Sequence, residues 1–285
     1  MNRVVAILCS DFHLREDTPI CRTDDFWKAQ WKKVQFIKDL QREHNVPTIH
    51  AGDLFNNWKP SPLLLSMAIE YLPAGFHSIY GNHDLPQHNI ELAHKCGINT
   101  LVKAGKVELL RGIHWNNKFE DISILLESGI RMLVWHIITY SGRSPYPGCT
   151  DPSATALLRR YPKYNLIVTG HNHQSFVVEY EGRLLVNPGS ITRHDADQQD
   201  FKPRVYLLYE NNTVEPVYLP IEQGVISREH LERNEQRNER IEAFISRLTG
   251  EWETGVSFEE NLERFFQANE VKYSVKQIIY KAIEI

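Results

Sequence analysis

Short apolar runs alternate with amphipathic stretches through the first half of the chain. Val4–Cys9 is a continuous apolar run, as expected of a strand covered on both faces. In Phe26–His44, Trp27, Trp31, Val34, Ile37 and Leu40 recur near helical spacing. Residues 46–50 read as a second strand. Residues 61–71 read as a helix with Pro62 suited to its first turn, and residues 76–80 as a third strand. This β-α-β-α-β order predicts strands buried between helices.

The middle of the chain continues in short β runs: 106–111, 122–126, Arg131–His136, 165–169, Phe176–Tyr180, Arg183–Asn187, Arg204–Tyr209 and 213–219. A helix over 151–161 interrupts them, with Asp151 or Ser153 available as its cap. Glu181-Gly182 suits a hairpin turn. The expected fold is α/β: two packed sheets, a β-sandwich, flanked by helices.

Near Ser227 the composition changes. Residues 228–285 contain no Asp, Cys or Pro, and their apolar residues fall into three stripes at helical spacing. These are Ile241, Phe244, Ile245 and Leu248; then Phe258, Leu262, Phe265 and Phe266; then Val275, Ile278, Ile279, Ala282 and Ile283. Two or three helices are expected, with a break around 250–255. The predicted organisation is one domain over 1–225 and a short helical C-terminal extension over 226–285.

Polar residues gather where the strands should end. Asp11 and His13 follow the first strand, Gly52-Asp53 the second, and Gly81-Asn82-His83-Asp84 the third. His136 ends a later strand, and Gly170-His171-Asn172-His173 follows another. Any one element is commonplace, because an isolated HxH or Asp-Gly pair is more often incidental or a turn. Five in one order, each directly after a strand-like run, are not, because ligands of open α/β sheets sit beyond the carboxyl ends of strands. Mixed imidazole and oxygen donors suit Mn, Fe or Zn, and seven side chains are too many for one ion.

The set D-x-H, G-D, G-N-H-D, H and G-H-x-H resembles the calcineurin-like metallophosphoesterase family from Asp11 to His173, and Asn187-Pro188-Gly189-Ser190 extends the match. The resemblance implies a two-metal phosphoesterase. Asp11, His13 and His173 would hold one metal, Asn82, His136 and His171 the other, and Asp53 would bridge them. His83 would serve as general acid, and Asp84 would fix the local turn.

Gly52-Asp53-Leu54-Phe55 followed by Lys59-Pro60-Ser61-Pro62 resembles the SbcD-type nuclease branch, which works on DNA with an SMC-like ATPase of SbcC type. That branch usually places His or Asp three residues after the bridging Asp to orient the catalytic histidine. Here Asn56 occupies the position, and its amide oxygen can accept from the ring. The branch also carries a DNA-capping domain, for which the residues after Leu219 leave little room. The amphipathic C-terminal helices could instead dock on the ATPase, pack on the core or pair two copies.

The net charge of −4 neither favours nor excludes a DNA substrate. Four cysteines without a CxxC pair read as free thiols, and no apolar run approaches a membrane span, so a cytoplasmic location is expected. Competing readings are a phosphodiesterase or phosphatase for small esters, and a scaffold that keeps the fold without catalysis. Around the site, Arg193 and His194 are candidate phosphate contacts. Trp58, Tyr140 and Tyr146 are candidate base-stacking groups, and Arg143, Arg159, Arg160 and Lys163 a candidate basic patch.

Overall fold

The computed structural model describes residues 2–115, 124–250 and 257–283. Two compact units divide the chain, Met1–Ser227 and Arg228–Ile285.

The first unit begins β1 (Val4–Cys9), α1 (Phe26–His44), β2 (Thr48–His50), α2 (Pro62–Tyr71), β3 (Phe76–Ser78), α3 (Gly97–Lys103) and β4 (Val107–Leu109). It continues β5 (Ile124–Leu125), β6 (Arg131–His136), α4 (Ala154–Arg160), β7 (Leu166–Gly170), β8 (Phe176–Tyr180), β9 (Arg183–Asn187), β10 (Arg204–Tyr209) and β11 (Val214–Tyr218). Local signals set the helix ends. Asp25 accepts from the Lys28 amide to start α1, and Asn45 closes it in the left-handed region. Ser61 caps α2 ahead of Pro62, and Ser153, rather than Asp151, caps α4.

Two sheets form the expected sandwich. One runs β11-β10-β1-β2-β3-β4 and the other β5-β6-β7-β9-β8. In the first, β1, β2, β3 and β4 are parallel; in the second, β6, β7 and β9 are parallel. Side-chain alternation sorts each strand between two cores. Ala6 and Leu8 of β1 cluster with Met132 and Val134 of β6 and with Leu166 and Val168 of β7, filling the space between the sheets. Ile7 and Cys9 face the other way, onto Val34 and Ile37 of α1, Leu64 of α2 and Leu101 of α3. Leu133 and Ile167 face outward onto Leu157 and Leu158 of α4. The result is four layers, helix-sheet-sheet-helix, with both sets of parallel strands ending at the functional site.

The hairpin turn at Glu181-Gly182 has both residues at positive φ, joining β8 and β9 as expected. One helix escaped the sequence pattern. Seven-residue α3 opens at Gly97, where an added Cβ would collide with the Pro60 ring. A tertiary contact, not local periodicity, defines its start.

The second unit contains α5 (Glu229–Gly250), α6 (Phe258–Ala268) and α7 (Tyr273–Ile283). Leu262, Phe265 and Phe266 of α6 pack with Val271 and with Ile279 and Tyr280 of α7. In the other predicted stripes, Ile241, Val275 and Ile278 are exposed. The side chains of Phe244, Ile245, Leu248, Ala282 and Ile283, and residues 251–256 of the predicted break, lie outside the described residues.

Candidate metal centre

Five chain segments meet beyond the strand ends. Asp11 and His13 leave β1, and Asp53 leaves β2. Asn82, His83 and Asp84 follow β3, His136 ends β6, and His171 and His173 follow β7. The backbone there is unusual. Asp11, His13, Asp53 and His171 all adopt positive φ. Such conformations are uncommon outside glycine and persist where surrounding contacts over-determine them. Those contacts are visible. The Asp11 amide donates to Gly52 O (3.0 Å), the His13 amide to Asp53 O (3.0 Å), and the Leu14 amide to Leu54 O (2.9 Å). The two loops after β1 and β2 therefore brace each other past the end of the sheet. Gly81 is required by proximity: a Cβ there would strike the Asp53 carboxylate.

Two groups of donor atoms converge on Asp53. On one side, His13 Nε2 lies 3.5 Å from Asp53 Oδ2, 4.0 Å from Asp11 Oδ1 and 3.1 Å from His173 Nε2. On the other, His136 Nε2 lies 3.3 Å from Asp53 Oδ2, and both His136 Nε2 (3.1 Å) and His171 Nδ1 (2.9 Å) face Asn82 Oδ1. Asp11, Asp53 and His136 are at most 1% exposed. Asp53 Oδ2 is buried without a hydrogen-bond partner, an arrangement costly for a bare carboxylate and natural for one that bridges cations. The donor chemistry and this orphaned oxygen fit two divalent ions.

Electrostatics point the same way. Burial works against the charge of Asp53, but the His136 and His13 rings outweigh it and hold its carboxyl well below the usual range. Burial disfavours a proton on His136, yet Asp53 and Asp11 overcome it and raise its pKa to about 9. Burial raises the Asp11 carboxyl. Asp53 is thus the carboxylate held charged, at the point where the two donor groups meet.

Asp84 does more than shape its own turn. Its Oδ2 accepts from the amides of Asp53 (2.8 Å), Gly81 (3.0 Å) and Leu54 (3.3 Å), and its Oδ1 accepts from Phe55 (3.1 Å). Burial and the nearby Asp53 push its carboxyl up to about 7, opposed by the Gly81 and Phe55 amides. Asp53 Oδ1 in turn accepts from the His83 amide at 2.9 Å. The His83 ring stands edge-on to His13 at 4.7 Å and lies within reach of Asp53. Its Nδ1 donates to the main-chain carbonyl of Asn56 at 2.9 Å. This corrects the expectation for Asn56, because the ring is met by the backbone and not by the side-chain amide.

The Asn187–Ser190 turn is a brace. Asn187 donates to the carbonyls of Asn172 (2.5 Å) and Gln174 (2.6 Å) on either side of His173, and accepts from Thr169 (3.0 Å). Ser10 donates to Gly189 O and so ties β1 to the same turn.

Other expected contacts fall elsewhere. Arg193 is buried away from the centre, donating to Gln199 O and Glu222 O. Arg159, Arg160 and Lys163 cover the rings of Tyr180, Tyr161 and Tyr164. Trp58 packs against the core beneath α1 and α2. His50 is buried against Ser78, and burial lowers it to about 3. Tyr140, Tyr146 and Arg143, with Arg204, do line an open groove of about 860 Å³ that reaches His171 and His173.

Three further residues border the centre, of which the sequence singled out only His194. His194 Nε2 lies 3.2 Å from His173 Nδ1, and Asp195 Oδ2 lies 3.7 Å from the same nitrogen. Burial disfavours a proton on His173, but Asp195 and Asp11 outweigh it. His194 also joins His13 and His173 in one group of candidate metal-binding atoms, all within 4.8 Å of one another, with its ring 5.2 Å from that of His13. Trp115 packs on the His171 ring at 4.7 Å. Only the three-dimensional turn brings these residues to the metal ligands.

The calcineurin-like phosphoesterase superfamily domain model matches residues 5–212. The double-strand break repair protein MRE11 of Encephalitozoon cuniculi (strain GB-M1) is 23% identical over 300 residues, covering 84% of this chain and 52% of that protein. This chain thus spans about half the length of that relative. Among solved structures, a novel archaeal phosphodiesterase aligns with a TM-score of 0.46 at 17% identity, covering 75% of this chain and 99% of that one. A predicted phosphoesterase of Streptococcus pneumoniae TIGR4 aligns with a TM-score of 0.34 at 13% identity, covering 76% and 99%.

Proposed function

This chain belongs to the calcineurin-like phosphoesterase superfamily, and on that premise we propose that it is a two-metal phosphodiesterase that cleaves DNA as an SbcD-type nuclease. The observation that carries the hydrolytic part is the convergence of two donor groups on the orphaned Oδ2 of Asp53.

In this reading Asp11, His13 and His173 hold one ion, Asn82, His136 and His171 the other, and Asp53 both. The ions, when bound, supply Lewis acidity and acidify a water for in-line attack on phosphorus. Manganese suits the mixed donors, with iron and zinc as alternatives. His83 is the general acid. Its Nδ1 is committed to the Asn56 carbonyl, which leaves Nε2 to deliver a proton to the departing oxygen. Asp84 positions His83 indirectly, by fastening the loop that carries Asp53.

DNA as substrate is supported by the likeness to a break-repair protein and by the groove beside the centre. Arg143 and Arg204 offer phosphate contacts along it, and Tyr140 and Tyr146 offer stacking surfaces. An SMC-like ATPase of SbcC type is the proposed partner. The exposed Tyr273, Val275 and Ile278 of α7 are the apolar residues offered to it.

The test is cleavage of single-stranded and blunt-ended DNA by the pure protein with added manganese, alone and with the ATPase, beside a chromogenic small phosphodiester. Manganese-dependent DNA cleavage is expected. Turnover of the small ester without DNA cleavage in either setting would replace the nuclease with a small-ester phosphodiesterase. Turnover of neither, with metal bound, would leave a non-catalytic scaffold.

A further inference from the structure

On the far side of the loop that carries His194, three cations are buried together. Lys33 of α1 and Arg193 are each 3% exposed and Arg22 is 8% exposed. One partly exposed carboxylate faces them: Asp24, which Arg22 engages through Nε (2.7 Å) and Nη2. Nearby Lys32, Asp200 and Glu222 are exposed at the surface. The interior therefore carries three positive charges against one negative.

The donors are also in excess. All three Arg22 nitrogens have a partner, the third contact running from Nη1 to Arg193 O at 2.8 Å. Arg193 spends Nη1 on Gln199 O and Nη2 on Glu222 O, but its Nε is buried with no partner. Lys33 spends one of three ammonium protons, on Ala29 O at 3.1 Å. Burial, with Arg22 and Arg193 adding to it, lowers the Lys33 ammonium to about 8, so it is still charged near neutral pH. Buried charges and donors without partners are costly, and few interiors retain them.

A cavity lies among these groups. Its lining includes Arg22, Asp24, Ala29, Lys33, Arg193 and Glu222, and its volume is about 20 Å³. That is room for about one water-sized particle. We propose that this cavity binds a single monatomic anion, chloride in practice, held between the Lys33 ammonium and Arg193 Nε. The anion offsets part of the buried charge and supplies the acceptor that Arg193 Nε lacks. It also ties α1 to two further segments, the loop running from Arg193 to Gln199 and the segment at 220–222. The inference is independent of the metal centre and of what the enzyme cleaves.

Bromide in place of chloride tests it. In crystals of the full chain grown with bromide, an anomalous peak is expected in the cavity, within hydrogen-bond distance of Lys33 Nζ and Arg193 Nε. In solution, at constant ionic strength balanced with a bulky organic anion, added chloride should raise Tm saturably, by about 2 °C. The Lys33→Met variant should lose both the peak and the saturable rise. No bromide at the site, whether water or nothing is found there, overturns the proposal. So does a chloride-dependent rise that is the same in Lys33→Met. If the variant fails to fold, the bromide peak in the unaltered protein decides.

Discussion

His83 Nδ1 donates to the main-chain carbonyl of Asn56, 2.9 Å away, so the ring proposed as general acid is oriented by an atom that every residue possesses. Changing the Asn56 side chain should therefore matter little. Asn56→Ala is expected to keep kcat on a chromogenic phosphodiester within about threefold, whereas His83→Gln should lower kcat by about 10²-fold or more. A comparable loss in both variants would mean that the side chain, not the carbonyl, orients the ring.

Asp195 stands beside His173, one of the proposed metal ligands, as a carboxylate would beside a metal-ligating imidazole. Such partners fix the tautomer and raise the basicity of the ligand. Asp195→Asn should weaken the binding of manganese about tenfold, as read by titration calorimetry on metal-free protein. An unchanged affinity would reduce the contact at 3.7 Å to a surface ion pair.

Asp84 satisfies four backbone amides from two loops. Removing it strands buried donors. Asp84→Ala should cost about 3 kcal/mol or more in the urea unfolding of metal-free protein, and should impair metal loading as well. A stability change of less than about 1 kcal/mol would show that water or loop rearrangement can replace the carboxylate.

His114 gives the fold a pH dependence that does not involve the metal ligands. Burial lowers its pKa from 6.5 to about 4, and its Nδ1 accepts from the Tyr80 amide at 3.0 Å, a bond only the neutral ring can receive. Between those pH values the unfolded state binds the proton and the folded state does not. Stability is therefore lost as pH falls from about 6.5 toward 4, by up to about 3 kcal/mol from this group. Unfolding measured across that window in wild type and in His114→Asn should give curves that diverge at low pH, with the variant flatter. Parallel curves would rule out His114 as the source.

Much of this site was legible because its chemistry sits at strand ends, and strand ends are marked by apolar runs giving way to Gly, Asp, Asn and His. The starts of α2 and α4 were legible for the same reason: Pro62 and Ser153 act on their immediate neighbours. What escaped depends on distant chain. The start of α3 is set by Pro60 against Gly97, 37 positions on. Asp195 carried no signal in the sequence, and His194 only a candidate phosphate contact, until the fold places both beside His173. Arg193, immediately before His194, points away from the centre. Asn56 shows a subtler limit, since sequence describes side chains and the working atom there belongs to the backbone.

Both donor groups draw on both sheets: Asp11, His13, Asp53 and Asn82 come from the first, and His136, His171 and His173 from the second. A slip of one sheet along the other by a single residue, about 3.3 Å, would break both groups at once. Alignment of the sandwich and assembly of the centre are thus one event in folding, and ions bridging Asp53 to either sheet would act as rivets across the seam. Loss of metal should then loosen the two layers against each other before any strand frays. Increased amide exchange would first appear in the central strands β1 and β7, before the edge strands β5 and β11.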